Sequence, residues 1–371
     1  MKRYWISLLL VALLCGCSAT PPGDTEPQAT LPQVTEDPAI RESLTAGKPA
    51  EDPLPGQLIG TSVCHLKMLP LTAAVQRFAF AQVGEELWIF ATQCSKDKTY
   101  LIRFLYDPQE KNATPKEILQ LEGYGHGESL EVVVRNEKVY VYIGSQAKLA
   151  FTTYYWSTTI TRFCYENGKM TEAKELTDLH CATATGAPLH ENATPYRINF
   201  ALNEKADLLA LYVQCDTNDS LENIKHYMCA YKLSEIDKQL DVAQDKVSLK
   251  NCTDALVHAP TKITTGLIQV YSTYQGMDMD DDGNVLISSG GKGQAPGYKR
   301  LGWTEGGFVL KQQSLVNEIY SMRHEMQDWV SIEGYPETEC IRYYNGYYYS
   351  CFNPGGDLRA MNTELFLLSR K

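Results

Sequence analysis

The chain has 371 residues, 44% hydrophobic and 21% charged, which excludes a disordered or fibrous protein and suffices for one large or two ordinary domains. Lys and Arg total 34 against 45 Asp and Glu, a formal net charge of -11. No Lys/Arg run offers a phosphate-binding face, so nucleic acid is not an expected partner.

Residues 1–17 combine a short basic start (Lys2, Arg3), an apolar run from Ile6 to Leu14 and the sequence Cys15-Gly16-Cys17. That is the layout of an export signal, and the apolar run is too short to span a bilayer. Leu14-Cys15-Gly16-Cys17 resembles the lipobox of bacterial lipoproteins, with Cys15 at a position where that family usually carries Ser or Ala. The resemblance implies that Cys17 receives a diacylglyceryl group and becomes the mature N-terminus. The protein would then be held to the bacterial cell membrane by its lipid, facing the extracytoplasmic side.

Residues 18–56 hold 8 of the 17 prolines and few apolar side chains, so they cannot bury enough surface to offset their chain entropy. With seven acids against two bases, this segment reads as a disordered, Pro-rich acidic tether.

Residues 57–371 are rich in Val, Ile, Tyr, Phe and Thr runs broken by Gly, Asn and Asp, which favours strands. One strand signature recurs: Arg103-Phe104-Leu105-Tyr106, Arg162-Phe163-Cys164-Tyr165, Met228-Cys229-Ala230-Tyr231, Arg300-Leu301-Gly302-Trp303 and Leu365-Phe366-Leu367-Leu368, at intervals of 59 to 72 residues. An earlier turn precedes each, at Val83-Gly84-Glu85-Glu86, Asn136-Glu137, Asn203-Glu204-Lys205, Asp282-Gly283 and Asn345-Gly346. Asn-Gly and Asp-Gly between apolar runs are strong hairpin signals. Repeated four-stranded antiparallel meanders are what a β-propeller requires, since radial closure removes exposed sheet edges. The expected fold is an all-β, five-bladed propeller, six blades being the alternative division. Its last blade lacks an outer strand, which residues 58–71 would supply by pairing with residues 364–370. Residues Gly276 to Ile287 resemble the hairpin of NHL-type propeller blades.

Nine cysteines lie beyond the signal, and an exported compartment permits disulfides. With Asn345-Gly346 as a two-residue turn, Cys340 falls directly opposite Cys351, within reach of a disulfide. Cys215 with Cys229 and Cys164 with Cys181 are further candidates, the alternative being buried reduced thiols.

Asp278, Asp280 and Asp282 with Gly283 begin a D-x-D-x-D-G calcium loop, but position twelve is Ser289 where a bidentate Glu is needed. Ca2+ is the one cofactor the pattern raises, against a solvated acidic hairpin. His126 with Glu128, His190 with Glu191 and His324 with Glu325 are the nearest approaches to acid/base pairs, and no nucleophile motif is present, so no catalytic residue is assigned. Tyr154-Tyr155-Trp156 and the Tyr343-Tyr344/Tyr347-Tyr349 cluster offer flat amphipathic surfaces suited to a protein or glycan ligand, or else packing between blades. The expectation is a monomeric, membrane-anchored binding or scaffold module for a protein or glycan. The alternative is a carbohydrate-active enzyme with carboxylates in a central pocket.

Overall fold

The β-branched and aromatic runs become strands because tight turns let consecutive runs pair side by side. The computed structural model describes residues 56–150, 153–217, 220–268, 273–291, 293–320, 336–353 and 362–370. The lipobox with Cys17, nearly all of the tether, and the His324-Glu325 pair lie outside the described residues.

The chain opens with β1 (Gly56–Lys67) and then runs through consecutive antiparallel meanders. The first is β2 (Val75–Val83), β3 (Glu86–Ser95), β4 (Lys98–Asp107) and β5 (Asn112–Glu122). The second is β6 (Leu130–Arg135) and β7 (Lys138–Ser145), interrupted by a small hairpin, β8 (Lys148–Ala150) and β9 (Tyr154–Trp156), then β10 (Thr159–Glu166) and β11 (Lys169–Thr177). The third is β12 (Ala193–Leu202), β13 (Leu208–Thr217), β14 (Ser220–Lys232) and, after helix α1 (Leu233–Val242) and the short β15 (Lys246–Ser248), β16 (Leu256–Ile263). The fourth is β17 (Tyr274–Met279), β18 (Val285–Ser289), β19 (Gly297–Thr304) and β20 (Gly307–Tyr320). The last is β21 (Glu337–Tyr344), β22 (Tyr347–Asn353) and β23 (Asn362–Arg370).

The fourth strand of this last sheet is β1. It pairs antiparallel with β23, from Leu58 opposite Arg370 to Lys67 opposite Asn362, which is the pairing expected for residues 58–71. Its ends also pair in parallel with β20 and with β5, so one strand ties the outer edges of three sheets together.

The first strand of every sheet is innermost. β2 packs on β6, β6 on β12, β12 on β17, β17 on β21 and β21 on β2. These strands are therefore covered on both faces, and Val75 to Ala81 of β2 are all buried. Between the sheets, aromatic side chains interlock: Phe80 meets Tyr349 at 5.0 Å, Phe90 meets Tyr165 at 5.2 Å and Tyr212 meets Tyr274 at 5.3 Å between ring centroids. Within the last sheet Tyr343 and Tyr348 pack edge to face at 5.3 Å, and with Tyr349 they are buried, so most of that tyrosine cluster is core. Burying each such ring contributes about 2 kcal/mol. The fold is thus mostly β and propeller-like.

The turns follow their residue types. Asn345 and Gly346 have φ of 51° and 82°, the left-handed pair that a two-residue type I′ turn demands, and Asn136 and Glu137 do the same at 50° and 64°. The Asn345-Gly346 turn places Cys340 opposite Cys351, with the two sulfurs 3.3 Å apart. The other cysteine candidates are corrected by register. Cys229 lies opposite Leu211, and Cys215 is four residues further along the same strand. At about 3.3 Å per residue this is about 13 Å, beyond a disulfide's reach. Cys164 donates to Glu166 at 3.5 Å while Cys181 is buried in a separate 3-10 turn, Leu179–Cys181. Cys94, Cys164, Cys181, Cys215, Cys229, Cys252, Cys340 and Cys351 are all present as thiols.

Under oxidising conditions we expect Cys340 and Cys351 alone to link, so that non-reducing peptide mapping joins those two segments and no others. Reducing that link should cost about 2–3 kcal/mol in urea denaturation, as for a short closed loop.

Candidate functional site

Four buried charges meet on the axis, each from the first strand of a different sheet. Arg77 of β2 bonds through Nη2 to Glu131 of β6 at 3.0 Å and to Asp278 of β17 at 2.7 Å, and through Nη1 to the Ile341 carbonyl at 2.5 Å. Arg342 of β21 bonds to the other oxygen of Glu131 and lies 3.3 Å from Asp278 Oδ1. The Tyr343 backbone N–H donates to Asp278 Oδ2. All four side chains are buried, and their charges sum to zero. Burial pushes the Asp278 carboxyl up to about 6, against the pull of Arg342 and Arg77. Burial also works against both guanidinium charges, yet Asp278 and Glu131 more than offset it and hold both arginines above their ordinary value.

Toward the N-terminal ends of the first strands lies a second group. The loop before β6 carries His126, between Gly125 and Gly127, and Glu128. Gly125 has φ 79°, and a Cβ there would sit 2.6 Å from the Tyr155 carbonyl oxygen, so only glycine lets this loop lie against the β8–β9 hairpin. Both oxygens of Glu128 are held by one edge of Arg197 of β12, through Nε at 2.8 Å and Nη2, and Glu128 also accepts from Asn199 Nδ2 at 2.9 Å. The Arg197 guanidinium lies 4.0 Å from the centre of the Trp156 ring and 5.1 Å from that of Tyr274. Trp156 stacks on Tyr154 at 5.2 Å and 9°, and His126 packs edge-on against both. Tyr154 is 46% exposed, so this arrangement ends in an open aromatic surface.

Cys94 Sγ is 3.4 Å from His126 Nδ1. Burial, helped by Glu128 and Glu339, pushes the thiol up to about 12, and burial pulls the imidazole below its ordinary value. The pair therefore rests as neutral thiol and neutral imidazole, not as the thiolate–imidazolium pair of a nucleophile.

The structure gathers Tyr154 and Trp156 into this site, with Tyr155 beside them on the same hairpin. His126 and Glu128 join it. It does not gather the acidic run into a calcium loop. Asp278 is consumed by the two arginines on the axis. Asp280 accepts from Asn284 and from the Asp282 backbone and pairs with Arg300 at 2.7 Å, while Asp282 points to solvent. With Asp278 inside and Asp282 outside, the three carboxylates do not converge on one point. His190 stacks on Tyr227 and lies 3.3 Å from the Asp216 carbonyl oxygen, a structural role away from Glu128 and Arg197.

Arg77, Glu131, Arg197 and Arg342 were not singled out in the sequence. The signal was a charged residue set among apolar neighbours inside the first strand of each repeat.

Fold and site together define a propeller-like all-β protein with a charged axis and an aromatic surface at one end. The helveticin-J bacteriocin family model matches residues 73–328, and the chain belongs to that family. No curated protein matches it in sequence. Among solved structures it is similar to a GH43 β-xylosidase/α-arabinofuranosidase from a compost microbial metagenome, at 8% identity and TM-score 0.44, over 81% of this chain and 92% of that one. It is also similar to an exo-β-1,3-galactanase from Phanerochaete chrysosporium, at 8% identity and TM-score 0.42, over 80% and 64%. A third is a GDP-Man-dependent mannosyltransferase from Leishmania mexicana, at 8% identity and TM-score 0.37, over 88% and 92%.

Asp278→Asn leaves two buried arginines sharing one carboxylate, and we expect it to destabilise the protein by about 3 kcal/mol in urea denaturation. The histidines give a pH test. Burial holds His126, His180, His190, His226 and His258 below their ordinary value. As pH falls through about 6.5 the unfolded chain therefore takes up protons first, and stability is lost. Asp278 and Glu204, both raised by burial, act in the opposite sense only at lower pH. The melting temperature should accordingly drop between about pH 7.5 and about pH 6.

Proposed function

We propose that the chain is a closed, five-bladed ring held by its lipidated Cys17 to the extracytoplasmic face of a bacterial membrane, with residues 18–56 as the tether, and that the ring binds a glycan. The observation that carries the reading is the half-exposed Tyr154 ring, held flat by stacking on the buried Trp156 and backed by the Arg197–Glu128 pair. Aromatic rings offer a sugar's C–H face a flat apolar surface at low entropy cost. A guanidinium–carboxylate pair beside them supplies donors and acceptors for hydroxyl groups, already oriented by Asn199. The cyclic packing of β2, β6, β12, β17 and β21 supports the ring, and the β1–β23 pairing supports its closure. The family takes its name from a bacteriocin, which accords with a ligand on a bacterial envelope.

A second reading, glycoside hydrolysis, is favoured by one observation. Glu131 and Asp278 both lie within 3.0 Å of a single Arg77 nitrogen, so their carboxylates are close enough for a retaining pair, and Asp278 is raised to about 6. Against it, both carboxylates are buried and each is bonded to two guanidinium groups, which leaves no free oxygen edge for a sugar.

Binding of the protein to bacterial cell-wall polysaccharides, followed by affinity electrophoresis, tests the first reading. Tyr154→Ala should weaken retention about tenfold with little change in the melting temperature, because the side chain is nearly half exposed. Release of reducing sugar that disappears in Glu131→Gln would establish the second reading, and retention without turnover the first.

A further inference from the structure

At the C-terminal ends of the first strands, opposite the aromatic surface, the axis opens into a cavity of about 340 Å3. Phe80, Val132 and Tyr344 form its apolar wall, and Glu131 and Arg342 of the axial cluster lie at its inner end. Its remaining charged residues are Arg135, Glu204 and Lys205.

Their charges do not all cancel. Arg342 and Glu131 neutralise one another within the axial cluster. Arg135 pairs with Asp237 of α1, and Lys205 lies 3.9 Å from Asp281. Glu204 is different. It accepts one hydrogen bond, from the Asn345 backbone N–H at 2.8 Å, and among the described residues no cation lies within ion-pair distance of it. Burial holds its carboxyl above the ordinary value; the Asn345 hydrogen bond and the more distant Arg342 charge oppose this, while Asp281 and Asp278 add to it. A half-buried carboxylate without a counter-ion, at the wall of a cavity, is an incomplete electrostatic arrangement. A second polar group is also incomplete: Arg342 is nearly fully buried and its Nε has no hydrogen-bond partner.

We propose that this cavity binds a small ligand bearing a primary ammonium group and, a few bonds away, a hydrogen-bond acceptor. The ammonium pairs with Glu204, flanked by the Tyr344 ring, and the acceptor faces the Arg342 guanidinium. Amino sugars and amino acids share this chemistry. The site is separate from the glycan surface, at the other end of the axis, so it stands or falls independently of that reading.

The test is calorimetric titration of the full chain with D-glucosamine and with L-alanine, each compared with its N-acetyl derivative. Saturable binding of at least one amine is expected, weakened about tenfold or more by acetylation, which removes the charge. Which amine binds more tightly identifies the ligand source. Glu204→Gln preserves the acceptor for Asn345 and should lose the same factor, whereas Val242→Ala, at an exposed residue outside both sites, should leave the affinity unchanged. The proposal is overturned if neither amine binds saturably, if acetylation has no effect, or if a folded Glu204→Gln variant binds as well as the native chain. Should that variant not fold, the acetylation comparison on the native protein decides alone.

Discussion

Two guanidinium groups and two carboxylates, drawn from four different sheets and closed off from water, are the constraint on which the rest of this molecule depends. Taking four charges out of water costs several kcal/mol each, and their mutual attraction does little more than return it. The cluster is therefore a weak source of net stability. Its effect is conditional: any arrangement that brings fewer than four first strands to the axis leaves a buried charge without its partner. The apolar packing between sheets has no such selectivity, because Phe80, Tyr165 or Tyr274 could be buried in many ways. Apolar area drives the collapse, and the ion cluster penalises the wrong ones.

The same cluster divides the axis. Toward the N-terminal ends of the first strands stand Glu128, Arg197 and the Trp156–Tyr154 stack, and toward their C-terminal ends lies the cavity with Glu204. Glu131 and Arg342 belong to the cluster and to the cavity at once. A charge change in the cavity is thus felt by groups held rigidly by bonds between sheets, while the buried centre keeps the two ends chemically separate.

Topology supplies the second constraint. β1 comes first in the chain yet completes the last sheet, and through its parallel contacts with β20 and β5 it joins the outer edges of three sheets. An outer edge left unpaired would be a template for association with other chains. Here the N-terminal strand covers that edge of the last sheet.

Much of this was legible from the residues alone. Turn chemistry is local, so Asn345-Gly346 and Asn136-Glu137 announced their left-handed turns, and a two-residue turn sets its own register, which placed Cys340 against Cys351. The repeat and the missing outer strand of the last sheet pointed to β1, and the aromatic run at 154–156 reached the candidate site. What the sequence could not decide is which residues of different sheets meet. Asp278 looked like the start of a cation loop because its neighbours are acidic, but the side chain's surroundings are Arg77 and Arg342, about 200 and 64 residues away along the chain. Cys215 and Cys229 looked paired because their strands are adjacent, but the register sets Cys229 opposite Leu211, four residues from Cys215. Strand pattern and turn type are encoded within a few residues, so sequence by itself determined the sheets. Ring packing sums contacts between distant strands, and it alone decided the charged axis and both of its ends.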